Sequence, residues 1–307
     1  MNKIMSDMKK NVFTGTGTAI ITPFRDGRVD YFALTTLIER QIAAGVDAIV
    51  VCGTTGEKST LKDDEHRRVI EHTVTVVAGR IPVVAGTGGN DTDYSVSLTR
   101  HACECGADAV LCVTPYYNKA SDKGLIRHFS VIADASEKPV ILYNVPSRTG
   151  MSISPAAYRE LAKHPNIVAT KEASGDVSAI LRLMHECGDS LQIYSGNDDQ
   201  TVPLMACGAK GVISTTSNVI PKRFAEMTRL ALEGRIAEAA AIQLELIPLI
   251  SAMFMQVNPI PVKAACAMMG LCSPEIRLPL CEMDDYKNDF LRTVLRNYGL
   301  ISGEEKI

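Results

Sequence analysis

The chain repeats one unit eight times, a short and nearly continuous apolar run followed by an amphipathic stretch. The runs are GTAIITPF, DAIVVCG, IPVVAGTG, DAVLCVTP, KPVILYNV, NIVATKEA, LQIYSGN and KGVISTTS. Parallel strands that are covered by helices have this composition, because both of their faces are buried. Eight strand-then-helix units in a row favour a closed (β/α)8 barrel, or TIM barrel, over an open doubly wound sheet.

The stretches between the runs have the spacing of amphipathic helices. Apolar residues recur on one face in two clear cases, Leu34, Leu37, Ile38 and Ile42 in the first and Phe224, Met227 and Leu230 in the second. Glycines that favour helix C-termini close several stretches: Gly45, Gly79, Gly106, Gly188, Gly208 and Gly234. Helical patterns without a ninth strand follow. We therefore expect residues 1–234 to form the barrel with the active site, and 235–307 to form a C-terminal helical bundle.

Composition restricts the classes of partner. The 307 residues are 46% hydrophobic with a formal net charge of −3, so the chain has no general attraction to nucleic acid or anionic membranes. An anionic substrate would need local cations instead. The most apolar later stretch, AIQLELIPLISAMFMQV, is interrupted by Gln243, Glu245 and Pro248. It predicts one or two packed helices rather than a membrane span.

The N-terminus and the cysteines indicate the compartment. The start, MNKIMSDMKK, lacks the apolar segment and the cleavage site of a secretory signal. The nine cysteines include no C-x-x-C pair, and most lie in apolar segments where they are expected to be small core residues, as for Cys52, Cys112 and Cys207. This pattern predicts a reducing, cytoplasmic environment.

Small and polar residues gather where the predicted strands end. The strand ends are CGTTGE (52–57), GTGGND (86–91), TPYYN (114–118), YNVPSR (143–148), KEASG (171–175), SGND (195–198) and ISTTS (213–217). The opposite ends show no such enrichment. In TIM-barrel enzymes the active site lies at the carboxyl ends of the strands, so this asymmetry predicts an enzyme with its site at that face.

Lys171 is the leading candidate for a nucleophile. Strand alternation puts Ile167, Ala169 and Lys171 on one face, and we expect that face to be the barrel interior. A free lysine amine is almost fully protonated at neutral pH, so a nucleophilic lysine needs burial and suitable neighbours. The alternative is a strand-end lysine whose ammonium reaches water. Tyr143 favours the interpretation of Lys171 as a nucleophile, because imine chemistry needs a group that transfers protons. The alternative for Tyr143 is an ordinary core residue, which is the default for an isolated tyrosine.

Other strand-end residues fit the same site, each with a plainer alternative. Thr54 and Thr55 offer hydroxyls in a loop that suits a small carboxylate, or they belong to an ordinary loop. The guanidinium of Arg148 could clamp a second carboxylate, or it could be a solvated loop residue. Tyr116 and Tyr117 are adjacent and point opposite ways. Only one can enter its own barrel, which leaves the other free to cross an interface.

Several motifs do not predict a cofactor or metal site. GTGTAI and GTGGND are incomplete versions of the dinucleotide fingerprint. In HACEC, His101, Cys103 and Cys105 are spaced by two, so on a helix Cys103 faces away from the others. The sequence shows no metal-ligand pattern elsewhere. We expect metal-free chemistry, with no cofactor other than a covalent imine to the substrate.

These motifs resemble the dihydrodipicolinate synthase family, whose members are 4-hydroxy-tetrahydrodipicolinate synthases among the pyruvate-dependent class I aldolases and lyases. CGTTGE, RIPVVAGTG, VTPYYNK, ILYNVPSRTG, TKEASGD and NPIPVKAACAMMG occur in the order and spacing of that family, from about Phe13 to the last helix. The resemblance implies a lysine Schiff base with pyruvate, condensation with L-aspartate 4-semialdehyde and a role in lysine and diaminopimelate biosynthesis. It also implies a homotetramer, built as a dimer of tight dimers.

The resemblance assigns roles to residues. It implies that Lys171 forms the imine, that Tyr143 donates and accepts protons, and that Thr54 links Tyr143 to Tyr117 of a neighbouring subunit. Substrate binding falls to Thr55, the Ile213 main chain, the strand-end Gly196 and Arg148, which would receive the carboxylate of the semialdehyde. Two sister activities remain as alternatives, N-acetylneuraminate lyase and 2-keto-3-deoxy sugar acid aldolase. A non-catalytic barrel and a phosphate-binding barrel are further and weaker alternatives.

Family members that are inhibited by lysine bind it at the tight-dimer interface, next to the tyrosine that corresponds to Tyr117. The matching positions of this possible effector pocket are Ser59, Asp63, His66, Asn90, Tyr94 and Tyr116. Tyr94 stands where those members have a glutamate that pairs with the ammonium of the inhibitor. Lys58 lies beside the pocket and would repel a cation. The sequence therefore predicts weak or absent inhibition by lysine.

Overall fold

The computed structural model describes Lys9 and residues 11–302. The predictions for the N-terminal segment and for the last five residues lie almost entirely outside this range. Within it, parallel strands close into an eight-stranded barrel and confirm the TIM-barrel prediction. Its strands are β1 Gly15–Ala19, β4 Ala48–Val51, β5 Val83–Gly86, β6 Ala109–Val113, β7 Val140–Asn144, β8 Ile167–Glu172, β9 Gln192–Ser195 and β10 Gly211–Ser214. A small hairpin, β2 Phe24–Arg25 and β3 Arg28–Val29, follows β1.

Helices surround the barrel and then extend beyond it. They are α1 Tyr31–Ala43, α2 Asp63–Val77, α3 Thr92–Glu104, α4 Asp122–Asp134, α5 Pro146–Thr149, α6 Pro155–Leu161, α7 Val177–Cys187, α8 Thr201–Ala206, α9 Pro221–Leu232, α10 Ile236–Met253, α11 Ile260–Met268 and α12 Asp285–Asn297. Short 3-10 turns occupy Lys58–Thr60, Gly188–Ser190, Asp198–Gln200 and Thr216–Asn218. The caps follow the sequence: the Asp30 carboxylate accepts from the Ala33 N–H, and Gly45 beyond α1 has a φ of +80°.

The core has two layers that the strands separate. Small and medium side chains fill the barrel interior, among them Ala48, Val50, Val84 and Ala109. The alternate side chains of the same strands, such as Ile49 and Val83, pack outward against the helices. Both layers are apolar, which explains why the strands are continuous hydrophobic runs in the sequence.

One prediction about β8 is wrong. Ile167 does not share a face with Ala169 and Lys171, because it packs in the outer layer while Ala169 lies inside the barrel. The register with β7 shifts at this point, since Val140 pairs with Ile167 but Ile141 pairs with Ala169. The extra residue, Val168, forms a bulge that resets the alternation. Beyond the bulge, alternation holds and Lys171 is on the predicted inner side.

The last helices pack onto the barrel. Helix α10 is long and apolar enough to span a membrane by length and composition, yet eight of its side chains are buried against the rest of the protein. Its Gln243 is one of these and donates to the Asp198 main-chain carbonyl near the barrel mouth. The prediction of a packed helix is therefore confirmed. Cys207 corrects another prediction: it is exposed, because it caps α8 just before a glycine turn, whereas Cys52 and Cys112 are buried.

Candidate active site

Tyr143 and Lys171 lie side by side at the carboxyl ends of neighbouring strands. They are register partners in β7 and β8, and the Lys171 Nζ is 4.6 Å from the centroid of the Tyr143 ring. Both side chains are buried, with exposures of 6% for Lys171 and 7% for Tyr143. A buried amine beside a phenol is the arrangement in which the phenol can pass protons to and from an imine nitrogen or its carbinol oxygen.

The barrel beneath Lys171 is closed by aromatic rings. Tyr194 of β9 is the other register partner of Lys171, and its hydroxyl donates to the Phe13 main-chain oxygen at 2.6 Å. The Phe13 and Tyr194 rings stack with centroids 4.4 Å apart, in the interior cluster that also includes Tyr143. These stacked rings fill part of the barrel interior beside Lys171.

A buried carboxyl group lies close enough to Lys171 to interact with its charge. Asp198 follows β9 and is 1% exposed, and its Oδ2 accepts from the Thr216 main-chain N–H at 2.7 Å. Burial raises the pKa of Asp198, while hydrogen bonds from Thr216 and the charge of Lys171 oppose the rise. The sequence placed SGND at the mouth but did not single out this residue.

The loop after β4 brings its two threonines to the mouth in different environments. Thr54 is partly exposed, and its main-chain oxygen accepts from the Glu57 N–H. Thr55 is 2% exposed, and its hydroxyl contacts the Thr215 hydroxyl at 3.1 Å and accepts from the Asn258 side-chain amide at 3.0 Å. The hydroxyl of Thr55 is thus held in place from two sides.

Asn258 connects the C-terminal helices to the mouth. Besides its bond to Thr55, its main-chain oxygen accepts from Arg148 Nη2 at 2.9 Å, and its buried side-chain Oδ1 has no partner among the described residues. Arg148 itself is exposed on the short helix α5. Asn258 is a site residue that the sequence reasoning missed. Asn258 begins the motif NPIPVKAACAMMG, but the motif is far from Thr55 in the sequence, so the contact between the two residues could not be predicted.

A second buried pair flanks Lys171 on the outer side of the strands. Glu172 is the register partner of Asn144, and both of its carboxylate oxygens accept from the Asn144 amide at 3.0 Å. It also accepts from the Tyr158 hydroxyl at 2.9 Å and the Ser174 N–H at 2.9 Å. These bonds join β7, β8 and α6 one residue beyond the Tyr143–Lys171 pair.

The two remaining predicted binding residues lie on neighbouring strands. Ile213 of β10 is fully buried in the barrel interior. Gly196 follows β9, and its N–H donates to the Glu172 oxygen at 2.7 Å. A Cβ at position 196 would lie 2.6 Å from the Ala173 Cβ, so only glycine allows this close approach beside β8.

Comparison with known proteins identifies the group to which this architecture belongs. The sequence profile of the dihydrodipicolinate synthetase family matches residues 12–298. The chain belongs to the dihydrodipicolinate synthetase family. It is 50% identical to the 4-hydroxy-tetrahydrodipicolinate synthase of Acetivibrio thermocellus, over 96% of this chain and 100% of that protein.

Solved structures of this family share the fold. The dihydrodipicolinate synthase of Aquifex aeolicus is 48% identical and superposes with a TM-score of 0.93, over 95% of this chain and 100% of that one. The Acinetobacter baumannii synthase, solved in complex with pyruvate, is 42% identical with a TM-score of 0.92, over 94% and 99% of the two chains.

The structure separates the two adjacent tyrosines of this family member. Tyr116 is partly buried and packs against the interior cluster, whereas Tyr117 is 93% exposed and has a φ of +70°. With this exposure the Tyr117 ring is not packed into its own barrel. Lys171, Tyr143, Thr54 and Thr55 thus lie around one mouth, and Tyr117 lies outside it.

Three residues of the possible effector pocket, His66, Asp63 and Tyr94, already interact with other groups of the chain. His66 is 3% exposed and its Nε2 contacts the Gly86 main-chain oxygen at 2.9 Å, while burial lowers its pKa to about 4. Asp63 forms an ion pair with Arg67 at 3.0 Å and a hydrogen bond with Tyr94. Burial and this carboxylate raise the pKa of Tyr94 to about 12. Ser59 is exposed, and the Asn90 main-chain oxygen accepts from Asn118 at 2.9 Å.

Lys58 points inward next to this pocket. Its ammonium donates to the Gly88 main-chain oxygen, and burial lowers its pKa to about 8. Glu57, which precedes Lys58 in the chain, forms a salt bridge with Lys263 of α11, and both side chains are 1% exposed. The loop that carries Thr54 and Thr55 is therefore fixed on one side by the barrel and on the other by the C-terminal helices.

Proposed function

We propose that this family member is a 4-hydroxy-tetrahydrodipicolinate synthase, a lyase that condenses pyruvate with L-aspartate 4-semialdehyde in lysine and diaminopimelate biosynthesis. The observation that carries the proposal is the buried Lys171 amine beside the Tyr143 phenol at the mouth. The 50% identity to a curated synthase over nearly the whole chain favours this activity over the sister lyases. The site needs no cofactor in this proposal, since the imine is formed with the substrate itself.

The proposed reaction begins with the addition of the neutral Lys171 amine to the pyruvate C2 carbonyl. Tyr143 transfers a proton to the carbinol oxygen, water leaves, and the imine forms. Loss of a methyl proton gives the enamine, whose carbon attacks the aldehyde of the second substrate. The amine of the bound semialdehyde then attacks the imine carbon, which closes the ring, breaks the bond to the Lys171 nitrogen and releases the product and the free enzyme.

The other site residues bind the substrates or move protons in this proposal. Thr54 links Tyr143 to Tyr117 of a neighbouring subunit, as the exposure of Tyr117 permits. Thr55 and the Ile213 main chain bind pyruvate, with Gly196 beside them. Arg148 binds the semialdehyde carboxylate, and its bond to the Asn258 oxygen leaves guanidinium donors free for that role.

The assembly follows from the same proposal. We propose a homotetramer of tight dimers, in which Tyr117 completes the site of the partner. A solved dihydrodipicolinate synthase variant that is described as monomeric is 39% identical to this chain, so assembly differs among structures of this family. We further propose that residues 1–234 form the catalytic barrel and 235–307 the helical extension, and that the enzyme works in the cytoplasm, in agreement with its nine free cysteines.

Trapping the imine tests the central assignment. Pyruvate and borohydride should attach one reduced pyruvyl group to the protein, and mass mapping should place it on Lys171. The Lys171→Ala variant should lose both the adduct and the condensation activity. The proposal fails if another lysine carries the adduct, or if the protein cleaves N-acetylneuraminate faster than it condenses pyruvate with the semialdehyde.

A further inference from the structure

Three side chains with metal-binding atoms meet on the outer helices, away from the barrel mouth. His101 and Cys105 are four residues apart at the C-terminal end of α3, so they lie on one face of that helix. Glu71 reaches them from the neighbouring helix α2. In these residues, one nitrogen, one sulfur and one carboxylate oxygen all lie within 4.8 Å of one another.

The distances within this cluster match the edges of a tetrahedral coordination shell. Cys105 Sγ is 3.4 Å from His101 Nε2, and His101 Nε2 is 3.5 Å from Glu71 Oε1. A tetrahedral Zn²⁺ with ordinary Zn–S, Zn–N and Zn–O bonds separates its ligand atoms by about 3.4–3.6 Å. Two of the three edges thus fit one shared ion, and the third, between Cys105 Sγ and the Glu71 carboxylate, is within 4.8 Å.

The chemistry and accessibility of the cluster also suit a borderline-soft cation. Thiolate, imidazole and carboxylate are the ligands that Zn²⁺ uses most. His101 and Cys105 are partly exposed and Glu71 is exposed, so an ion can enter and water can fill a fourth position. The positive charge of the nearby Arg67 is balanced, because its guanidinium forms an ion pair with Asp63 and a hydrogen bond with Ser97. It therefore repels a bound cation only weakly.

We propose that Glu71, His101 and Cys105 form a surface binding site for a divalent, borderline-soft metal ion such as Zn²⁺. Binding replaces the thiol proton of Cys105 with a metal–sulfur bond and releases that proton to solvent. The bound ion links α2 to α3. Because α3 begins after the carboxyl end of β5 and runs back along the outside of the barrel, its C-terminal end lies away from the mouth, and the site is separate from the proposed lysine chemistry.

Cobalt titration tests the site with an optical readout. One equivalent of Co²⁺ should produce a thiolate-to-cobalt charge-transfer band in the near ultraviolet, and Zn²⁺ should displace it. Cys105→Ser should abolish the band, and His101→Ala and Glu71→Gln should each weaken Zn²⁺ binding at least tenfold. Cys281→Ser, which removes an exposed cysteine elsewhere, is the matched control and should leave the band unchanged.

Two results would overturn the proposal. The first is the absence of a stoichiometric thiolate band in the wild-type protein, and the second is a band that persists in Cys105→Ser. Zinc calorimetry in buffers with different heats of ionisation provides an independent measure. It should detect about one proton released per ion in the wild type and none in Cys105→Ser.

Discussion

Tyr143 and Lys171 are register partners in adjacent parallel strands, and the amine of Lys171 lies 4.6 Å from the ring centroid of Tyr143. Parallel pairing fixes the height of the two residues along the barrel, so their proximity is a property of the sheet rather than of a mobile loop. The next pair along the same strands, Asn144 and Glu172, is hydrogen-bonded.

Glu172 should position Lys171 for catalysis. In Glu172→Gln the side chain loses its charge and one acceptor oxygen, so it cannot satisfy Asn144, Tyr158 and Ser174 together. We expect kcat to fall about tenfold or more, since a lost charge-assisted hydrogen bond costs about 1.5–3 kcal/mol. Tyr158→Phe leaves the Glu172 charge in place, removes the bonds of the α6 hydroxyl to Glu172 and Thr170, and is the control, with a smaller effect on kcat. Equal losses of thermal stability in both variants with unchanged kcat would contradict the assignment.

Arg148 should act on the second substrate only. Arg148→Lys keeps the charge but loses the planar fork that binds a carboxylate with two bonds. Turnover with aspartate semialdehyde should therefore fall, while the rate of borohydride trapping with pyruvate alone should stay near that of the wild type. Steady-state and trapping rates measured on the same preparation separate the two steps. A parallel loss of trapping would show that Arg148 serves the pyruvate site as well.

Tyr117 should complete the site of a partner subunit. Tyr117→Phe should slow turnover without lowering thermal stability, because the side chain is 93% exposed in the single chain. Mixing this variant with Lys171→Ala creates dimers in which one site carries both defects and the other carries neither. Random exchange should restore activity to about a quarter of the wild-type sites. If exchange is confirmed by mass and no activity returns, the shared site is disproved.

L-Lysine should bind weakly or not at all. The only carboxylate predicted for the pocket, that of Asp63, is paired with Arg67 and bonded to Tyr94, so an incoming ammonium finds no free negative partner there. Calorimetry and activity assays with L-lysine should show no saturable effect below millimolar concentrations. Saturable binding that disappears in Asp63→Ala would instead mean that Asp63 leaves Arg67 to accept the ligand.

His66 should make the protein less stable in mild acid. Its pKa is about 4 in the folded protein because it is buried, against about 6.5 in an unfolded chain. Between these values the unfolded state holds a proton that the folded state does not, so stability falls as the pH is lowered. We expect a loss of about 2 kcal/mol between pH 7 and pH 5 from this group alone. Urea unfolding of His66→Gln should show a correspondingly shallower pH dependence, with the exposed His185→Gln as control. Equal pH dependence in all three proteins would exclude His66 as the cause.

The sequence by itself determined the eight strands, the helices between them and the end of the barrel at which polar residues gather. These features are local. A strand buried on both faces needs a continuous apolar run, and the residue where the run stops is visible in the sequence. Lys171 and Tyr143 could be proposed from that information alone, because each stands at the end of such a run.

The tertiary structure decided which residues meet. The bulge at Val168 moved Ile167 to the outer face, and Cys207 turned out to be exposed. Asn258 reached Thr55 from 203 positions along the chain, and Glu71 met His101 across two helices. Such contacts depend on strand register and helix packing, which are set by the fit of the whole core. A short stretch of sequence does not specify how the whole core packs. Its hydrophobic pattern could therefore predict each helix or strand, but not which side chains each residue contacts.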